Sequence, residues 1–296
     1  MATFVLSAFA DEAGASLATQ INALKRNNIG YIEPRHVDGK NVSYMSEEEL
    51  KALKKSLDEA AVKVSSLGSP IGKYPITDPF EPHMESFRSA LLAAQILGTD
   101  RMRMFSFFCP QTELHDHRQE VLSRLCQMVE QARQAGVTLC HENEAAIYGQ
   151  MPSEVADLMQ NVPGLKAVFD PANYRMANAD ITCGLEASLP ALSYLHIKDA
   201  IFSQQIIVPA GEGEGQIPFV LDKVDRLFSG TIFLTVEPHL KVFDAYKDID
   251  QHELRGKYTF SSGEESFDFA VNALKGVLTN LGFTENEHRE WTRNSN

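Results

Sequence analysis

The chain has little of what marks a secreted, membrane-spanning or nucleic-acid-binding protein. It has only four cysteines, Cys109, Cys126, Cys140 and Cys183, far apart and with no C-x-x-C pair. That spacing does not read as a disulfide framework or a zinc knuckle, and it fits a reducing compartment. No apolar run approaches the roughly 20 residues of a membrane span. The opening MATFVLSAFADEAG lacks a basic segment, and Asp11-Glu12 cuts its apolar stretch short, so it reads as a buried strand rather than a signal peptide. Positive charge is scarce: 27 Lys and Arg stand against 40 Asp and Glu, for a net charge of −13. A nucleic-acid binder draws most of its affinity from Lys and Arg on the phosphates, and no basic stripe is present. The turn after the first strand, AFADEAG, also lacks the G-x-G-x-x-G of a dinucleotide fold. The expectation is a cytoplasmic protein without a membrane or nucleic-acid partner, in a composition compatible with a homo-oligomer.

What is present is a repeated alternation. With 296 residues, 44% of them hydrophobic, the chain can bury a large core. Short apolar runs at Thr3–Ala8, Gly30–Pro34, Lys63–Leu67, Arg101–Phe107, Val137–Glu142, Leu165–Asp170, Leu192–Lys198 and Thr231–Glu237 alternate only weakly, as strands buried on both faces should. Helical spacing fills the intervals at 16–27, 46–60, 80–97, 114–135, 153–161, 217–228 and 264–281. The stretch 179–191 predicts only a short helix. Ser46-Glu47-Glu48-Glu49 is a capping-box signature, and Gly98, Gly136 and Gly282 mark helix ends. Eight β/α units without a linker predict an α/β fold: a closed (β/α)8 TIM barrel forming a single domain over residues 1–283, with a polar C-terminal tail at 284–296. A doubly wound open sheet is the alternative. Two connections, 200–216 with its GEGEG and 238–263, exceed plain turns and follow strand C-termini, so they are candidate lids.

Four successive strands end in ligand-type residues: CHENE (140–144), FDPAN (169–173), LHIKD (195–199) and TVEPH (235–239). Any one such carboxylate could simply pair with Arg or cap a helix. Four at the same height of a barrel would converge on its mouth, and three carboxylates that close call for a neutralising cation. Carboxylates with one imidazole and no thiolate suit Mn, Mg, Co or Zn.

At these motifs the chain resembles, over nearly its whole length, the xylose-isomerase-like barrel superfamily. This is the sugar phosphate isomerase/epimerase group that includes keto-sugar 3-epimerases and hydroxypyruvate isomerase. The resemblance implies one divalent metal ion held by Glu142 of HEN, Asp170 of FDPAN, His196 of HIKD and Glu237 of VEP. It also implies that Glu142 and Glu237 are the proton-transfer pair on opposing sides of a small sugar substrate. Many members read D-x-x-H after the sixth strand, whereas Asn173 stands here, which can hydrogen-bond a hydroxyl but cannot shuttle a proton. That departure and the net charge count against the apurinic endonucleases of the same superfamily, which need several more histidines.

An isomerase or epimerase of this kind removes a proton beside a carbonyl and returns it, with the metal as Lewis acid. Arg103 and Lys198 lie within or just beyond strands and could bind substrate, with Asp199 orienting Lys198. Glu33 and Arg35 share one face of the second strand and form either an interior ion pair or a substrate clamp. His141 alternates away from Glu142 and reads as packed outside the barrel; Glu144 and His239 belong to the rim. GEGEG reads as a flexible lid, because its glutamates would repel phosphate. Phe105, Phe107, Phe108 and Phe202 line either the core or a sugar pocket. Two other readings remain: an inosose-type dehydratase on the same metal site, and a non-catalytic sugar-binding barrel.

Overall fold

A computed structural model describes residues 1–246 and 257–293. Eight parallel strands form the barrel: β1 (Ala2–Ala8), β2 (Tyr31–Ile32), β3 (Lys63–Val64, continued by Leu67–Gly68), β4 (Arg101–Met104), β5 (Thr138–Glu142), β6 (Lys166–Phe169), β7 (Leu192–Ile197) and β8 (Gly230–Val236). Parallel ladders run unbroken from β3 through β8 to β1, with Ala2–Ala8 matched residue for residue to Gly230–Val236. Tyr31 pairs with Lys63, and the Glu33 amide donates to the Ala8 carbonyl at 3.0 Å, which closes the ring between β2 and β1.

The outer helices follow from their sequence signals. They are α1 (Leu17–Arg26), α2 (Glu47–Glu59), α3 (Phe80–Leu97), α4 (Leu114–Gln134), α5 (Pro152–Asn161), α6 (Pro171–Met176), α7 (Ile181–Ser188), α8 (Ile217–Leu227) and α9 (Gly263–Asn280). Ser46 and Glu49 form the capping box of α2, and Gly98 ends α3 in the left-handed region at φ 75°, where a side chain would be strained. Within 179–191 lies the one short helix expected, α7, and a further short helix, α6, directly follows β6. Asp170 caps α6, with Pro171 at its first position. Among the described residues, no helix is long and apolar enough to cross a membrane.

The pleat alternates side chains between two environments. Outward residues such as Phe4, Leu6, Leu195 and Leu234 join the main core beneath the helices. Inward residues plug the lower barrel, where Cys140, Val168 and Tyr194 cluster with Phe233. His141 faces outward and is buried, its Nε2 2.8 Å from Ser106 Oγ.

Two segments differ from expectation. Residues 284–293, expected as a polar tail, belong to an antiparallel hairpin, Phe283–Glu285 with Glu290–Arg293. Its second strand pairs Trp291 and Glu290 with Phe4 and Val5 of β1. The hairpin therefore shares with β2 the edge of β1 not taken by β8. Buried Phe283 and Trp291 hold it there, the Phe283 ring 5.1 Å from Phe4. The GEGEG loop is likewise pinned rather than loose. The amides of Gly211, Gly213 and Gly215 donate to the buried Asp199 carboxylate at 3.0, 3.0 and 2.8 Å. Asp199 thus points into this loop and does not orient Lys198. Of the second candidate lid, residues 247–256 lie outside the described residues.

Candidate metal centre

The inward faces of β5 to β8 bring the four strand-end residues together, all buried. Glu142, Asp170, His196 and Glu237 each offer one ligand atom, and these atoms lie within 4.8 Å of one another. His196 is the hub. Its Nδ1 is 2.9 Å from Glu142 Oε1 and 3.5 Å from Glu237 Oε2, and the Phe9 ring packs edge-on against it at 5.0 Å. Asp170 does two jobs: Oδ1 accepts the Asn173 amide at 3.0 Å as a helix cap, while Oδ2 faces the cluster. The local sequence Asp-Pro-Ala-Asn makes this possible, because the cap fixes one carboxylate oxygen and aims the other.

The cations around the cluster each take an edge of a carboxylate. Lys198 Nζ lies 3.2 Å from Asp170 Oδ2 and 3.4 Å from Glu237 Oε2. Arg103 Nε lies 3.3 Å from Glu142 Oε2, and its Nη1 donates to the Ser69 carbonyl at 3.1 Å. Asn173 Nδ2 donates to Glu142 Oε1 at 3.3 Å and to the Asn143 carbonyl at 2.8 Å. Arg103, Asn173 and Lys198 therefore lie at the cluster.

Glu33 has a different place from the substrate clamp expected of it. It is buried one layer beneath, where Oε1 accepts the Tyr194 hydroxyl at 2.8 Å and Oε2 the Thr235 hydroxyl at 2.8 Å, with His196 Nε2 at 3.3 Å. Nor does it pair with Arg35. That guanidinium forks onto Asp11 at 3.0 and 3.1 Å and reaches Glu12 at 3.0 Å and Glu237 at 3.1 Å, over the Phe9 ring. Asp11 and Glu12 lie in the 3-10 turn Ala10–Glu12 that follows β1, three and four residues past the strand, and so escaped a rule that looked at strand ends. Asn143 was also missed. Its side chain latches β5 to β6 through both the amide and the carbonyl of Asp170, at 2.9 Å each. Glu144 pairs with Lys73 at 3.1 Å, in a loop role.

The electrostatics record crowding. Burial raises Asp170, and although Lys198 pulls it down, Glu237 and Glu142 add to the rise, leaving it at about 7. Burial would raise Glu142 as well, but His196 and Arg103 hold it at about 2. Glu237 lies well below the carboxylate range, with Lys198, His239, His196 and Arg35 outweighing burial. His196 is driven up to about 10 against its burial, by Glu142 and Glu33. Asp170 Oδ2 and Glu237 Oε2 are buried without a hydrogen bond. Two such oxygens facing one imidazole and a third carboxylate fit a divalent cation. A second grouping, Glu12, Glu237 and His239, is geometrically similar, but Arg35 already bonds Glu12 Oε1 and Glu237 Oε1.

A parallel β/α barrel with buried carboxylates and an imidazole converging at the strand C-termini defines the class of TIM barrels with a polar cluster able to hold a cation at the mouth. Within that class the chain belongs to the xylose isomerase-like TIM barrel family, whose model matches residues 21–250. Its fold is shared with the IOLI protein with a bound zinc atom, at 14% identity and TM-score 0.73 over 94% of this chain and 99% of that one. The probable 3-DHS dehydratase AsbF from Bacillus anthracis aligns at 15% identity and TM-score 0.70, covering 93% and 99%. D-psicose 3-epimerase, in the presence of D-fructose, aligns at 16% identity and TM-score 0.67, covering 94% and 99%. No curated protein sequence matches the chain.

Proposed function

We propose that the protein is a divalent-metal-dependent isomerase or epimerase of a small keto-sugar or related polyhydroxy carbonyl compound. One observation carries this reading: two buried glutamates, Glu142 and Glu237, flank one imidazole nitrogen in a four-residue ligand set at the barrel mouth. A barrel that only bound sugar would have little use for three clustered acids. A bound divalent ion, held by Glu142, Asp170, His196 and Glu237, would polarise the substrate carbonyl as a Lewis acid. Glu142 and Glu237 form the proton pair, one taking the proton from the carbon beside the carbonyl and the other returning it. Arg103 fixes Glu142 in place and Arg35 fixes Glu237. Arg103, Asn173 and Lys198 supply the donors nearest to substrate oxygens.

The experiment is a screen of ketoses, hydroxypyruvate and inososes with Mn, Mg and Co in deuterated water. Label entering recovered ketose supports the proposal. Likeness to a probable 3-DHS dehydratase makes dehydration the competing outcome, seen as loss of water from an inosose. Binding without exchange would leave only a sugar-binding barrel. With a substrate in hand, Glu142→Gln and Glu237→Gln should each lose turnover by a factor on the order of 10² or more, while ligand affinity falls much less. Near-normal turnover in both, at full metal occupancy, refutes the proton pair.

A further inference from the structure

We infer that Glu33 is a positioning residue for the metal centre: it holds His196 from below by its Nε2–H, so that Nδ1 is the nitrogen presented to the cation. This rests on the metal site proposed above and adds to it a residue outside the ligand set. The geometry comes from three strands. On β7, Tyr194 and His196 are two apart and point into the barrel one above the other. On β8, Thr235 and Glu237 do the same. The lower member of each pair donates to Glu33, Tyr194 to Oε1 and Thr235 to Oε2, each at 2.8 Å. Ser66 Oγ, 3.0 Å from the Tyr194 hydroxyl, extends the network. The carboxylate is thereby clamped at both oxygens, is fully buried, and spends its remaining contact on His196 Nε2 at 3.3 Å.

An imidazole has one ligating nitrogen and one that must keep its proton, and the acceptor beside the second fixes which is which. Among the described residues the acceptor facing His196 Nε2 is Glu33, and Nδ1 faces Glu142 and Glu237. Ring orientation is set before a cation arrives; the cation would displace the Nδ1 proton while Nε2–H stays on Glu33, a division of labour typical of metal-binding histidines.

The test reads the metal, not turnover. Mn²⁺ binding is titrated by the electron paramagnetic resonance of the free ion in wild type, Glu33→Gln and the control Tyr194→Phe. The control removes the donor to Oε1 but leaves the Oε2–His196 contact. Glu33→Gln should bind Mn²⁺ roughly 10–100-fold more weakly, and Tyr194→Phe should stay close to wild type. Equal affinity in wild type and Glu33→Gln overturns this inference alone, whereas a wild type that binds no divalent ion overturns the metal site with it. Since Glu33→Gln could fail to fold, a second measurement uses the wild type. Long-range ¹H–¹⁵N spectra of the Zn²⁺-loaded protein, with His196 assigned by its loss in His196→Asn, should show a protonated Nε2 and a coordinated Nδ1. The opposite tautomer refutes the positioning role whatever the stability of the variant.

Discussion

Replacing Arg35 with Met tests how the mouth of the barrel tolerates its own acids. Arg35 is 3% exposed and contacts Asp11, Glu12 and Glu237 at 3.0 to 3.1 Å, with the same three carboxylates left behind when it goes. Removing one partner of a buried pair costs about 3–5 kcal/mol, because the remaining charge is neither hydrated nor compensated. Three acids do not triple that cost, since one of them can escape by taking a proton. Glu12 is poised to do so: burial and the neighbouring Glu237 and Asp11 lift it to about 8 despite Arg35. The expected loss at pH 8 is therefore about 3–5 kcal/mol, or a drop in Tm on the order of 10 °C for a chain of this size.

The sign with pH follows from the same group. A carboxyl whose folded pKa is raised contributes stability below its unfolded value, and this is lost as pH rises through the folded value, here from about 4.5 to about 8. Without Arg35 the rise is larger, so the gap between wild type and Arg35→Met should widen toward pH 8 and narrow toward pH 6. Thermal unfolding at both values reads it directly. Arg35→Lys keeps one charge but loses the fork, and should fall between the two. A variant as stable as wild type at pH 8, or a gap that grows on acidification, would refute the reasoning.

Two further predictions concern stability away from the cluster. Asp199→Ala removes the acceptor of the Gly211, Gly213 and Gly215 amides, and should speed their hydrogen exchange while costing at least about 2 kcal/mol; unchanged exchange in 211–215 would show that the loop is held by something else. His83 is buried beside the Tyr74 and Phe107 rings, and burial, helped by Arg124, lowers it to about 4. Its contribution is present above pH 6.5 and lost as pH falls toward 4, so His83→Phe should flatten the acid limb of the stability profile by at most about 3 kcal/mol, and an unaltered limb would dismiss His83 as its source.

The eight strands and the clustering of Glu142, Asp170, His196 and Glu237 were legible because both are written in short-range pattern. A doubly buried strand is an apolar run, and a charged residue at its end stands out. Partners were not legible where they come from strands distant in sequence. Glu33 and Arg35 were placed on one face correctly, but two residues along a strand are separated by about 6.6 Å. Each meets a different layer: Glu33 meets Tyr194, Thr235 and His196, and Arg35 meets Asp11, Glu12 and Glu237 higher up. The i,i+2 spacing that suggested an ion pair is what keeps the two apart. The GEGEG loop failed for a related reason. Its glycines do cradle an anion, but the anion is Asp199 of the same chain, 12 to 16 residues upstream.

These layers also explain why the candidate metal site and the barrel interior cannot vary independently. Tyr194 both packs with Cys140 and Val168 in the plug and donates to Glu33. Thr235 lies directly below Glu237 on β8, and Glu33 joins both strands to His196. Loss of the Tyr194 hydroxyl alone leaves Glu33 Oε2 on His196, whereas a substitution that repacks the plug and displaces Glu33 reaches the imidazole. The upper layer is different, because there Arg35, Arg103 and Lys198 pair with Glu237, Glu142 and Asp170. Orientation of the imidazole belongs to the lower layer and charge balance to the upper one. A change at Glu33 should accordingly appear in metal affinity, and a change at Arg35 in stability and its dependence on pH.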